Sequence, residues 1–173
     1  MLFDAYLMID WTGGAAMGPP RPAGDNVWVG ERWDGGACQR YFRTRAAATG
    51  HVRKRLAAHV LAGARVLVGF DLPYAYPRGL ARALGLTGAP WRAIWDLLGR
   101  EIADDSANAN NRFAVADAIN RRVAGPGPFW GCPPSAATPA LTATMKGRFA
   151  FPVAGLRRLR ATEEAMRGVQ ETW

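Results

Sequence analysis

Two aspartates each stand at the end of a short apolar run: Asp10 after Ala5-Tyr6-Leu7-Met8-Ile9, and Asp71 after Arg65-Val66-Leu67-Val68-Gly69-Phe70. Two carboxylates held close repel each other unless a proton or a cation intervenes. Hard divalent ions such as Mg2+ or Mn2+ take oxygen ligands and keep waters, which leaves room for a substrate phosphate. Two such ions about 3.5–4 Å apart clamp the attacking and leaving oxygens of a phosphodiester. A single strand-end Asp has a plainer use, because its side chain bonds nearby backbone amides. The repetition at two strand ends is what points to a site.

The elements that must position the pair follow from pattern. Ala5–Asp10 reads as a buried strand stopped by the turn Trp11-Thr12-Gly13-Gly14. Gly18–Gly24, with Pro19, Pro20 and Pro22, is a loop. Asn26–Trp33 and Gln39–Thr44 flank the turn signal Asp34-Gly35-Gly36 and predict an antiparallel hairpin. Arg45–Gly63 has helical spacing, with Val52, Leu56, His59 and Val60 on one face and Arg53, Lys54 and Arg55 turned away. Thr44 is a candidate N-cap. The strand Arg65–Phe70 comes next, and a helical crossover makes it parallel to the first strand if the two are neighbours. Asp10 and Asp71 then share the carboxyl end of the sheet, where open α/β sheets bind ligands.

After Asp71 the pattern turns helical, in pieces at Gly79–Leu84, Trp91–Ile102 and Asn111–Val123, the last capped by Asn110 or Asn111. Gly125–Pro139 is a Pro- and Gly-rich connection, too apolar for a free linker. Thr138–Thr144 is read as a short strand, and Leu156–Gln170 as a basic amphipathic helix burying Leu156, Leu159 and Met166. The expected fold class is α/β, one layered domain over residues 1–173.

The stretches Tyr6-Leu7-Met8-Ile9-Asp10-Trp11-Thr12-Gly13-Gly14 and Val68-Gly69-Phe70-Asp71-Leu72-Pro73-Tyr74-Ala75-Tyr76-Pro77 resemble the RNase H-like family catalogued as domain of unknown function 429. Asn110-Asn111-Arg112-Phe113 and Gly127-Pro128-Phe129-Trp130-Gly131 look like its branch sometimes labelled as molybdopterin-guanine dinucleotide synthesis proteins. The resemblance implies an RNase H-like mixed sheet, with an antiparallel hairpin and parallel strands flanked by helices. It also implies nuclease activity, with Asp10 and Asp71 at the acidic positions. Such nucleases place further carboxylates on the first helix and on a late helix. Here the first helix carries none, so Glu163 or Glu164 on the last helix would complete the metal shell, with Asp117 a weaker substitute. Family members continue past such a helix, so a shortened chain ending at Trp173 is expected to self-associate through it.

The expected activity is therefore Mg2+- or Mn2+-dependent phosphodiester hydrolysis, or a degenerate relative of it. Asp10, Asp71 and Glu163 would be catalytic, and Thr12, Gly13, Gly14, Tyr74, Asn111 and Arg112 would contact substrate. The glycines let backbone amides approach an anion, Arg112 suits phosphate, and Tyr74 can stack a base. Two alternatives stand beside this. One is a nucleotide- or cofactor-binding enzyme related to molybdopterin-guanine dinucleotide. The other is a non-catalytic nucleic-acid-binding module.

Composition limits the field. The net charge of +8 suits a nucleic acid or nucleotide partner, but 20 of the 22 basic residues are Arg in a chain rich in Ala, Gly and Pro, as codon bias alone produces. Two cysteines, Cys38 and Cys132, make no disulfide framework, and a reducing cytoplasm is the default. No apolar run is long enough for a membrane span. His51 and His59 lie eight residues apart, outside the i, i+4 spacing of a zinc pair. No P-loop and no nucleophile elbow is present.

Overall fold

The computed structural model of the chain describes residues 2–123, 128–144, 156, 160, 161 and 165. It is an α/β structure built on an open, mixed four-stranded sheet with flanking helices. Its contacts group it into two compact units, where the sequence was read as one domain. The first comprises residues 1–72 and 104–110, the second residues 73–103 and 111–173.

In the first unit, β1 (Ala5–Asp10), β2 (Val27–Trp33) and β3 (Gly36–Phe42) form an antiparallel meander. Helix α1 (Arg45–Leu61) crosses over to β4 (Val66–Phe70), which lies parallel to β1. The order β3-β2-β1-β4 makes β1 a central strand, as the hairpin and the single crossover predicted. Gly36 closes the hairpin turn at φ 142°, a conformation that residues with a Cβ rarely adopt.

Alternation sets the two faces of the sheet. Leu7 and Ile9 of β1, with Val27 and Val29 of β2, point to one side and are buried against Ala48 and Val52 of α1. Thr44 caps the helix, its hydroxyl accepting from the Ala47 amide at 3.2 Å.

The buried face of α1 keeps Val52 and His59, as predicted, but departs from the prediction at Val60 and Arg55. Val60 is 62% exposed, and the residues turned inward are Arg45, Ala48, Val52, Arg55 and His59, at successive spacings of three and four. The reason lies on β2. Glu31 alternates onto the inner face after Val27 and Val29 and is only 5% exposed. A buried carboxylate needs partners. Arg55 gives it an ion pair of 2.6 Å, and His59 Nε2 lies 2.7 Å from Glu31 Oε1. The helix therefore turns a polar stripe inward to satisfy it.

The second unit packs α2 (Leu80–Ala83), α3 (Pro90–Glu101) and α4 (Arg112–Arg122) around Leu80, Leu84, Ile94, Leu97, Val115 and Ile119. Leu156 is buried in the same core, as expected, whereas Leu159, Met166 and Trp173 lie outside the described residues. Asn120 organises the unit. It is fully buried, its Oδ1 accepts from the Phe129 amide, and its Nδ2 donates to the carbonyls of Phe129 and Ala140. Thr138–Thr144 is not a strand. The Thr138 hydroxyl oxygen accepts from the amides of Ala140 and Leu141, which bends the backbone into a turn after the 3-10 segment Pro134–Ala136. No helix among the described residues is long and apolar enough to cross a membrane.

Burial raises the carboxyl pKa of Glu31, but hydrogen bonds and charge from Arg55 and His59 outweigh it, and the net shift is downward. A depressed carboxyl stabilises the fold above its unfolded value of 4.5, and this is lost as pH falls through the folded value. Glu31→Gln should therefore cost about 2–3 kcal/mol at pH 7, below the usual loss for a broken buried pair because Arg55 can still reach water. That corresponds to a melting temperature lower by roughly 5–10 °C. Melting curves at pH 7 and pH 4 check it, since the gap between the proteins should narrow in acid.

Candidate functional site

The parallel pairing of β1 with β4 brings Asp10 and Asp71 together at one end of the sheet. Ile9 is paired with Phe70, so the next residues, Asp10 and Asp71, stand at the same level. The Asp71 amide still donates to the Ile9 carbonyl at 3.2 Å, and Asp71 Oδ1 accepts from the Trp11 amide at 2.8 Å. The Asp71 carboxylate is thus tied to the backbone just after Asp10.

The electrostatics of Asp10 reflect this closeness. Its carboxyl pKa lies above the ordinary 3.8, raised by burial first, then by hydrogen bonding and charge from Asp71, then by the charge of Asp25. Sequence reasoning missed Asp25. The signal was present in the hairpin, because β2 runs antiparallel to β1 and sets Trp28 opposite Asp10. Asp25 lies three residues before Trp28, at the same end of the sheet.

The carboxylates border an open trough of about 740 Å³ over the sheet face that α1 does not cover, with Met8, Gly30, Gly69 and Trp28 on its floor. Gly30 and Gly69 are the two cross-strand partners of Met8. A Cβ at Gly69 would fall 2.8 Å from Met8 Sδ, so the space beside this methionine exists because the neighbour is glycine.

The turn after β1 is built differently from the expected phosphate cradle. The Gly14 amide donates to Thr12 Oγ1 at 3.1 Å, and the carbonyls of Thr12 and Gly14 accept from Arg45 Nη1 at 3.0 and 2.7 Å. Arg45 Nε and Nη2 bond both oxygens of Asp104 at 2.6 Å, and Nη2 also donates to the Asn108 carbonyl. Asn108 is fully buried at φ 75°. It accepts from the Arg45 amide through Oδ1 and donates to the carbonyls of Ala16 and Arg43 through Nδ2. The polar run around Asp104, which connects α3 to α4 in the sequence, is a clasp on the turn that follows Asp10.

The other predicted contact residues belong to the second unit. Tyr74 is exposed, its ring 6.3 Å from that of Trp95, whose Nε1 donates to the Tyr74 carbonyl. Asn111 occupies the N-cap position of α4 without capping it. Its side chain reaches back instead, accepting from the Ala103 amide and donating to the Glu101 carbonyl. Arg112 lies 4.3 Å over the Phe113 ring. Asp117 is held by Arg121 and Thr138, and its carboxyl lies below the ordinary range because of them. Glu163 and Glu164 lie outside the described residues. Among the described residues no group of three His, Cys, Asp or Glu side chains gathers as a metal site.

Comparison of the chain with protein-family models, with curated proteins and with solved structures finds no match.

An acid whose folded pKa is raised contributes stability that is present below its unfolded value of 3.8 and is lost as pH rises through the folded value. Asp10→Asn removes that loss. Without divalent metal, the variant should melt about 1–3 °C above the parent at pH 7, and the difference should vanish near pH 3. Scanning calorimetry in the presence of a chelator at the two pH values measures both.

Proposed function

We propose that the chain is a divalent-metal-dependent phosphodiester hydrolase with an RNase H-like fold, or a catalytically weakened relative of one, centred on Asp10 and Asp71. The observation that carries this reading is the convergence of two carboxylates, one raised by burial and then by the other, at the carboxyl ends of two adjacent parallel strands. Their donor set fits a hard cation, since an all-oxygen, doubly negative pair is what Mg2+ and Mn2+ prefer. Such an ion would supply a nucleophilic water and neutralise charge developing on the phosphate.

The chain's own residues do the positioning. Asp71 keeps one oxygen on the Trp11 amide and so presents the other in a fixed direction. Asp10, raised by burial and then by its neighbours, releases its proton later than an ordinary aspartate. Metal should therefore compete with that proton, and affinity should begin to fall on acidification at a higher pH than for an isolated carboxylate. The net charge of +8 supports a polyanionic substrate.

The test is calorimetric titration of Mn2+ into the parent, Asp10→Asn and Asp71→Asn, followed by hydrolysis of single- and double-stranded oligonucleotides by the same three proteins. A unit charge at about 4 Å is worth roughly 1–4 kcal/mol. Each substitution should then weaken Mn2+ binding by about ten- to several-hundredfold. Titrations indistinguishable between parent and variants would refute the metal assignment. Metal binding without hydrolysis of either oligonucleotide would mark the weakened relative.

A further inference from the structure

One row of residues crosses the sheet face that α1 leaves uncovered. Residues paired across strands share a face, so Gln39 of β3, Gly30 of β2, Met8 of β1 and Gly69 of β4 stand side by side there. Two of these positions carry no side chain. Glycine inside a strand weakens it and often marks a place where a ligand approaches the backbone closely. Gly69 has a packing reason, because a Cβ there would strike Met8 Sδ. Gly30 has none among the described residues. A Cβ built on it would meet only the Met8 carbonyl oxygen, at 3.7 Å, and its φ is not positive. The gap over Gly30, between Met8 and Gln39, is room that the packing does not require.

The surroundings of this gap are specific. On the carboxylate side the next row holds Trp28 beside Asp10. The Trp28 indole is fixed in place, its Nε1 donating to the Ala23 carbonyl at 3.0 Å and its ring 5.4 Å from that of Tyr41. Met8 is 43% exposed, and its thioether is a surface that aromatic rings favour. Gln39 is exposed, and its amide bonds to no other described residue. Away from the carboxylates the trough runs on over Gly30 to Arg32, which likewise has no ion pair among the described residues. Arg32 lies four residues along β2 from Trp28, roughly 13 Å.

A ligand lying along this trough meets the carboxylate pair at one end, an apolar ring-sized gap with an amide at its edge, and then a cation. A nucleotide within a single strand matches this order, with a phosphate on either side of a flat base. A base already paired does not, because its edge is taken. We propose that the gap over Gly30 seats one unpaired nucleobase of a single-stranded nucleic acid, packed against Met8 and Trp28, with its edge on Gln39 and a flanking phosphate on Arg32. This rests on the reading of Asp10 and Asp71 as a hydrolytic centre and supplies its substrate class. The Gln39 amide offers an acceptor and a donor side by side, the complement of adenine.

The test is fluorescence anisotropy of labelled eight-residue strands with the full chain, in the presence of a chelator so that no bound cation contributes. The probes are oligodeoxyadenylate, an abasic strand of equal length, and oligodeoxyadenylate paired with its complement. The parent should bind oligodeoxyadenylate about tenfold more tightly than the abasic strand, the scale of one base–aromatic stack. Gly30→Val keeps the charge, fills the gap and suits a strand, so it should melt no lower than the parent. It should weaken oligodeoxyadenylate about tenfold and leave the abasic strand and the duplex unchanged. Equal parent affinity for the strands with and without bases would overturn the proposal, as would a Gly30→Val variant that binds all three probes like the parent or loses them equally. A parent that sediments as a dimer beside a monomeric Gly30→Val would assign the face to a second copy, and would overturn it too. Should Gly30→Val melt below the parent, Gln39→Ala decides by the same loss on oligodeoxyadenylate alone. Neither variant should alter Mn2+ titration, so failure of the metal reading and failure of the base site appear in different measurements.

Discussion

The guanidinium of Arg45 is the constraint on which the first unit depends. It spends all five of its N–H donors: two on the turn after β1, two on the Asp104 carboxylate and one on the Asn108 carbonyl. Arg45 is also the first residue of α1, where a positive charge opposes the helix dipole. Asp104 offsets that opposition from the one part of the first unit that is distant in sequence, the segment 104–110. A single buried cation thus joins a strand end, a helix start and a remote loop. Lysine could not replace it, because a point charge with three donors cannot span those directions.

Two further buried polar groups work in the same way. Asn108 closes the clasp from the other side, and its positive φ is one that Asn tolerates better than most residues with a side chain. Asn120 does for the second unit what Asn108 does for the first, fixing distant backbone with one buried amide side chain. Glu31 orients α1 on the sheet through Arg55 and His59. Apolar packing alone would let α1 rotate or slide, since Leu7, Ile9, Val27 and Val29 present a smooth surface to it. The polar contacts select one rotation, because any other leaves a buried charge without a partner.

These groups explain what the sequence could and could not convey. The four strands, α1 and the pairing of Asp10 with Asp71 were legible because alternation, a turn signal and one helical crossover leave few topologies open. The inward face of α1 was read correctly at Val52 and His59 and misread at two positions. Apolar periodicity favoured Val60, whereas the fold turns Arg55 inward to satisfy Glu31, a residue on another element that no local pattern connects to it. The clasp was invisible for a related reason. Arg45 and Asp104 are 59 residues apart and look individually like surface charges. Asp25 could have been found by carrying the hairpin register two residues beyond the strand. The turn at Thr138–Thr144 was read as a strand, and a threonine hydroxyl competing for backbone amides makes it a turn.

The relation between clasp and carboxylates carries a last consequence. Asp10 and Asp71 are arranged at a cost, because burial first, and then the neighbouring carboxylates, raise the Asp10 carboxyl. Stability alone would select against such a pair, and it persists only where the surroundings over-determine the backbone. They do so here. β1 is hydrogen-bonded on both sides, the Trp11 amide fixes Asp71, and Arg45 fixes the turn that begins with Trp11 and Thr12. The cost therefore stays on the two side chains and is not relieved by movement of the strand ends. On the proposed reading, a scaffold that holds these carboxylates in place supplies the preorganisation that metal binding at a fixed geometry requires.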